Sequence, residues 1–198
     1  MPMPNPIPRR RDAAVTRDAI LLSARKTFAR SGYDGAEVRE IAAGAGVTEM
    51  LVNRYFDSKE QLFAEVIADA MAGPITLTEG SLGTENLGRT LATALVSITD
   101  TGSTPLEGFL IMLHSASSKR AAVIGREQVE KGHQATLAAA LKGAHHQERA
   151  ALVMALVSGF QVMRQMLELS ALAKADPQVL IDLLVPLFEQ LVNPPQTD

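Results

Sequence analysis

Apolar residues recur every three or four positions along most of this chain, the spacing of one face of an α-helix. Ile20, Ala24 and Phe28 stand four apart, and the segment that holds them, from about Val15, ends at Gly32 after Lys26 and Arg30, cations suited to a helix C-terminus. Val38, Ile41, Ala42 and Ala45 repeat the template and predict a second, shorter helix. Gly46 then supplies the left-handed backbone a tight turn needs, and Thr48 caps a third helix with Val52 and Phe56 on its core side. A fourth opens at DSKE, where Asp57 and Glu60 are spaced as a capping box, and closes at Gly73-Pro74.

Residues 75 to 86 are rich in Gly, Thr and Ser and form the expected domain boundary. Beyond them every periodic stretch is helical: about Glu85 to Thr99, a helix opening at Thr104-Pro105-Leu106-Glu107, about Ala121 to Lys142, about Gln147 to Lys174, and a last one opening at Asp176-Pro177. Pro186 removes a backbone donor within that last helix and is expected to kink it. No stretch alternates as a strand, so the chain reads as all-α with about nine helices. Pro at every second position from Pro2 to Pro8 forbids a helix at the start. The expected division is a flexible basic arm over 1–13, a helix-turn-helix head with a linking helix over 14–74, and a helical domain over 75–198.

Composition narrows the classes. With 198 residues, 46% of them hydrophobic, the chain can bury a core of ordinary size, and without cysteine it has no disulfide, thiolate chemistry or Cys-based zinc site. The opening MPMPNPIPRRR is unlike a secretory signal, and the longest apolar run, near Ala150 to Val157, is too short to span a bilayer, so a cytoplasmic protein is expected. The net charge of −3 argues against nucleic acid, but its distribution does not. From Arg9 to Lys59 ten Lys and Arg face seven Asp and Glu, a surplus of +3, whereas from Ala72 onward nine face twelve.

The surplus falls in the segment that also holds the third predicted helix. With Val52 and Phe56 inward, 100° per residue turns Met50 and Arg54 roughly away from the core and leaves Leu51 and Asn53 on the flanks. An exposed arginine, an amide and two apolar chains suit the major groove, where Arg pairs with guanine, Asn with adenine, and apolar groups meet the thymine methyl. Two short helices joined by a Gly-containing turn are the helix-turn-helix arrangement. A helical hairpin whose exposed residues read nothing has the same local pattern. Arg9, Arg10 and Arg11 allow two readings as well, a solvated charge run or an arm adding phosphate contacts, and Arg39 is similarly open.

The surroundings of the hairpin separate these readings. Arg17, Ile20, Ala24, Phe28, Gly32-Tyr33, Val38, Ile41-Ala42, Ala45-Gly46-Val47, Tyr55-Phe56, Ser58-Lys59-Glu60 and Leu62 together resemble the N-terminal domain of the TetR/AcrR family of bacterial transcription regulators, over about Ala14 to Pro74. The resemblance implies phosphate contacts at Thr48 and Lys59, and Tyr55 sits where an aromatic residue or His is common. The chain departs from the family where DNA is met. Glu37 replaces a usual Ser or Thr, Glu49 a frequent Lys or Arg, Met50 a small residue, and Asn53 a common Tyr. The expected DNA-facing set is therefore Thr48, Glu49, Met50, Leu51, Asn53, Arg54, Tyr55 and Lys59, with Arg39 and Arg9 to Arg11.

For the second half the resemblance implies a small-molecule effector site and pairing of two chains. The last helix carries two apolar stripes, through Leu180, Leu183, Leu184, Leu187 and Leu191 and through Ile181, Val185, Phe188 and Val192. One stripe can meet its own core and the other a partner, so a four-helix bundle across a two-fold axis is expected, with Leu152, Leu156, Met163, Leu184, Phe188 and Leu191 as candidate interface residues. A bundle buried within one chain is the alternative. Candidate pocket residues are Phe109, Met112, Leu113, His114, Phe160, Gln161, Met163 and Met166, each more readily explained as plain core.

No phosphate-binding loop, HExxH, dinucleotide turn or hydrolase serine motif is present, and His145-His146, read as a loop, lacks metal-ligand spacing. No enzyme activity, metal or cofactor is expected. The resemblance implies a ligand-responsive regulator, a repressor, that binds a palindromic operator in double-stranded DNA as a homodimer, and no membrane partner is expected. The alternatives are a regulator acting through protein contacts with impaired DNA binding and, more remotely, a helical enzyme.

Overall fold

The computed structural model describes residues 8–71, 86–100 and 107–194. Helices α1 (Pro8–Gly35), α2 (Val38–Gly44), α3 (Glu49–Phe56) and α4 (Lys59–Met71) are followed by α5 (Leu87–Ile98), α6 (Glu107–His114), α7 (Lys119–Val129), α8 (Ala135–Ala140), α9 (His146–Gln161), α10 (Ser170–Ala173) and α11 (Pro177–Val192). The described residues contain no strand. Among the described residues, the two helices beyond the expected nine come from π-helical stretches at Glu130–Gln134 and Val162–Met166, each of which interrupts a segment whose periodicity predicts one helix. The Thr104-Pro105 cap and all of the 75–86 boundary except Asn86 lie outside the described residues, and the turn before α9 contains His145 with φ 56°.

The chain divides into two compact units, Met1–Met71 with Leu106–Gln128, and Ala72–Pro105 with Val129–Asp198. Sequence order places everything after residue 74 in a second domain, yet α6 packs against α1 and α4 in the first unit. Gly32 makes that approach possible. Its φ of 64° and ψ of −177° break α1, and a Cβ at Gly32 would collide with the backbone carbonyl of His114. Next to this approach the Tyr33 amide donates to Ser115 Oγ at 2.9 Å. Phe28, Tyr33 and Phe63 form the aromatic centre of the unit, with Phe63 edge-on to both others at 5.0 and 4.9 Å between centroids.

The helix start also differs from expectation. Residues 8 to 13 are not part of an arm, because α1 begins at Pro8, where a proline at the first helical position sacrifices no hydrogen bond. A second correction concerns α4. Asp57, the expected cap, is instead the C-cap of α3 with φ 54°, and Ser58 Oγ accepts from Gln61 N at 3.1 Å. Ser58→Ala should therefore cost the first unit about 1 kcal/mol in urea unfolding, the usual worth of an N-cap, and Asp57→Ala should leave that cap bond intact.

The second unit is organised by α5 against α11, with Leu87, Leu91, Leu95, Val153, Leu180, Leu184, Phe188 and Val192 in its core. Asp176 caps α11 by accepting from Gln178 N at 2.7 Å, as its position before Pro177 predicts. The Gly88 amide at the start of α5 donates to Glu189 Oε1 at 3.0 Å. Two buried arginines serve the other helix ends. Arg149 Nη1 donates to the Leu191 carbonyl at 3.1 Å, and Arg164 Nη1 to the Val96 carbonyl at 2.7 Å and Thr99 Oγ1 at 2.9 Å. Terminal carbonyls lack partners within their own helix, so each guanidinium completes a helix contributed by a distant segment. Helix α11 continues through Pro186 to Val192, and both Asp182 and Pro186 lie on its exposed side.

Burial cuts across both apolar stripes of α11 and places two of the interface candidates inside their own unit. Leu184 and Phe188 are inside their own unit, together with Leu180 and Val192, whereas Val179, Leu183 and Leu187 are exposed. Positions four apart share a face, and Leu184 and Phe188 lie in the core that α11 builds with α5 and α9.

Candidate nucleic-acid interface

The turn between α2 and α3 sets the angle of the reading helix. Gly46 has φ 68°, its amide donates to the Ala43 carbonyl at 3.1 Å, and the Val47 amide donates to the Ala42 carbonyl at 2.9 Å. This pair of bonds is the Schellman termination of α2, and it requires the left-handed residue that glycine provides most cheaply. Thr48 follows in extended backbone and accepts from Leu51 N at 3.4 Å, opening α3 one residue later. Both residues take the roles their positions in the sequence predict.

On α3 the division between core and surface is sharp. Val52 and Phe56 are 2% and 1% exposed, whereas Met50 is 80% exposed and Glu49, Asn53 and Arg54 are exposed beside it. Leu51 and Tyr55 are half-buried, with Tyr55 packed against the core of the first unit. Arg54 makes no ion pair among the described residues. Arg17 braces the core side of the helix, its guanidinium 5.0 Å from the centre of the Phe56 ring while it pairs with Glu65 of α4.

The cations around α3 are held by neighbours. Lys59, first residue of α4, places Nζ 4.7 Å over the Tyr33 ring; burial pushes its pKa down, opposed by the nearby carboxylates of Asp34 and Glu37. Arg39 lies 3.4 Å from the Glu37 carboxylate, both side chains exposed. Glu37 also precedes α2 without making a side-chain cap, so its carboxylate meets Arg39 instead of a helix amide. Arg9, Arg10 and Arg11 fall in the first turns of α1, and their side chains lie outside those described.

One contributor is not legible in the sequence. Arg120, at the start of α7, donates through Nε to Glu60 Oε1 at 2.7 Å, and that bond holds the Glu60 carboxyl below its ordinary pKa. Beside it Ser118 Oγ donates to Asp34 at 3.0 Å. These residues join the head across a large gap in the chain, which no local spacing signals.

The pocket candidates fall in different units. Phe109, Met112, Leu113 and His114 belong to the first, where Met112 packs on the core, Leu113 is exposed and His114 Nδ1 lies against the Ala29 carbonyl. Phe160, Gln161, Met163 and Met166 belong to the second, with Gln161 buried, Phe160 against the core, and Met163 and Met166 exposed. Of the interface candidates, Leu152 is exposed and Leu156 and Leu191 are half-buried. Among the described residues no cluster of His, Asp or Glu could hold a metal ion, and no helix is long and apolar enough to cross a membrane.

Known proteins share this arrangement. The chain is 39% identical over 59 residues to the HTH-type transcriptional repressor BepR of Brucella suis, a match covering 30% of this chain and 28% of that protein. It is 33% identical over 88 residues to the uncharacterized HTH-type transcriptional regulator YdgC of Bacillus subtilis, covering 42% and 45%. The aligned stretch thus spans less than half of either relative. The fold is shared with NalD, the secondary repressor of the MexAB-OprM multidrug efflux pump in Pseudomonas aeruginosa, at TM-score 0.64 and 20% identity over 92% of this chain and 99% of that one. Residues 20–66 match the family model described as bacterial regulatory proteins, tetR family. Residues 85–192, over half the chain, match the model of the tetracyclin repressor-like C-terminal domain. With its Gly46 turn, its Thr48-capped third helix and both family domains in order, the chain belongs to the tetR family of bacterial regulatory proteins.

Proposed function

We propose that the protein is a sequence-specific transcriptional regulator that represses by occupying a palindromic operator as a homodimer. The observation that carries this reading is α3, which turns Met50, Asn53 and Arg54 outward from a helix whose Val52 and Phe56 face is fully packed. Each subunit inserts α3 into the major groove of one half-site, with Arg54 and Asn53 toward base edges and Thr48, Lys59 and Arg39 toward phosphates. The first turns of α1, with Arg9 to Arg11, add backbone charge contacts. Repression is the sense carried by the names of BepR and NalD. No catalytic role is assigned, and the protein acts on DNA in the cytoplasm.

Pairing uses the exposed apolar residues of α9, of the π-helical stretch that follows it and of α11: Leu152, Met163, Val179, Leu183 and Leu187. Leu183 is 65% exposed, an unfavourable position for leucine in an isolated chain. Leu183→Glu with Leu187→Glu should convert the dimer to monomer in sedimentation, since each leucine contributes about 1.5–3 kcal/mol and the two-fold axis doubles the loss. A doubly substituted chain that remained dimeric would refute this surface. A small-molecule effector acts by binding one of two arrangements of the dimer better than the other.

The test of the function is selection from a random DNA pool by the purified dimer. An enriched palindrome is the expected result. Folded, dimeric protein that enriches no sequence would overturn the operator reading.

A further inference from the structure

Met50 is the most exposed of the large apolar side chains described, at 80%, ahead of Leu183 at 65%. Packing does not ask for it. Val52 and Phe56 complete the buried face of α3, and no described core cluster includes Met50. Its position is the second residue of α3, at the N-terminal end from which a recognition helix reaches base edges. Arg54 stands one turn further on the same side, about 6 Å along the axis at 1.5 Å per residue, which corresponds to roughly two base-pair steps of 3.4 Å.

Two properties of this pair decide what each can read. Arg54 is exposed and makes no ion pair among the described residues, so its fork is available to the O6 and N7 acceptors of guanine. Met50 has no hydrogen to donate and only a weak acceptor sulfur, so polar base edges offer it nothing. The one apolar group on a base edge of the major groove is the thymine methyl. An unbranched thioether chain adapts to that small, convex target by rotating, with little strain. Exposed apolar surface that is unfavourable in free protein becomes favourable once the methyl covers it.

We propose that Met50 is a specificity-determining residue that reads a thymine methyl group, so that each operator half-site carries a thymine about two base pairs from the guanine met by Arg54. This assignment rests on the reading of α3 as the groove-inserting helix. It gives the operator a chemical requirement that hydrogen bonding alone does not impose.

Deoxyuridine isolates the requirement, because uracil differs from thymine only by the missing methyl and pairs identically with adenine. The operator enriched from the random pool is synthesised with each thymine replaced in turn, symmetrically in both half-sites, and titrated with wild-type protein and with Met50→Ala. One thymine position should weaken wild-type binding about 4-fold per half-site, the equivalent of one buried carbon group. The same replacement should leave Met50→Ala unaffected. Because Met50 is exposed, the variant should match wild type in thermal melting and dimerisation. An operator with no methyl-sensitive thymine, or one whose sensitivity persists in Met50→Ala, overturns the assignment of Met50 and leaves the operator reading standing. A pool that enriches no sequence overturns both.

Discussion

Arg54→Ala is expected to bind the selected operator about 30-fold to 20,000-fold more weakly and to lose base preference at one position in each half-site. The range follows from about 1–3 kcal/mol for a bidentate Arg–guanine pair, counted twice because two copies of α3 meet one palindrome. The structure makes this substitution clean. Arg54 is exposed, forms no ion pair among the described residues, and lies away from Val52 and Phe56, so its removal leaves the packing of α3 untouched. Lys59→Ala is the contrasting variant. A lysine that meets a phosphate carries no sequence information, so all sequences should weaken alike and the salt slope should flatten by about 0.9 for each phosphate no longer neutralised. Selection repeated with each variant, together with titrations at several salt concentrations, separates the two. If Arg54→Ala weakened every sequence equally, the base-reading role of the exposed ridge would be wrong.

Gly32→Ala is expected to destabilise the first unit by about 3 kcal/mol or more in urea unfolding. Backbone at φ 64° and ψ −177° lies in a region that only glycine occupies readily, and holding another residue there costs about 1–3 kcal/mol. Crowding adds to this cost. The new Cβ meets the backbone carbonyl of His114, an atom that no side-chain rotation can move aside, so α6 must shift from α1 or the break in α1 must change shape. Gly132→Ala supplies the internal comparison. That glycine lies in the π-helical stretch after α7 with nothing within 4 Å of an added Cβ, so alanine there should gain about 0.5–1 kcal/mol through helix preference. Equal unfolding midpoints for Gly32→Ala and wild type would show that the close approach to His114 does not constrain the head.

The head is legible because its determinants are local. Ile20, Ala24 and Phe28 lie one turn apart, Gly46 and Thr48 act on amides within five residues of themselves, and Val52 with Phe56 defines the buried side of α3. Each signal operates over a turn or two of helix, the range in which spacing in sequence equals spacing in space. At α4 the same logic slips by one residue, since Asp57 and Ser58 are both good caps. The choice falls to Ser58 because Asp57 is taken up as the end of α3.

Arg120, Arg149 and Arg164 are not legible for the opposite reason. An arginine within a helical pattern reads as solvent-facing, and nothing near Arg164 in sequence reveals that the end of α5 lies beside it. The π-helical stretches are hidden as well, because one extra residue per turn alters a period-3.6 pattern less than ordinary irregularity does.

Local patterning in this chain is enough to specify the all-helical class, the order of the helices, the turn and cap that present α3, and the outward ridge of Met50 and Arg54. Long-range packing settles the rest: α6 belongs with the head, Leu184 and Phe188 enter the core of the second unit while Leu183 and Leu187 remain outside, and two arginines complete distant helix ends. Periodicity states that a stripe is apolar, and a helix with two apolar stripes presents two equivalent answers. The packed face draws on both, Leu180 and Leu184 from one and Phe188 and Val192 from the other, and it is set by contacts too far apart in the chain for any local pattern to record.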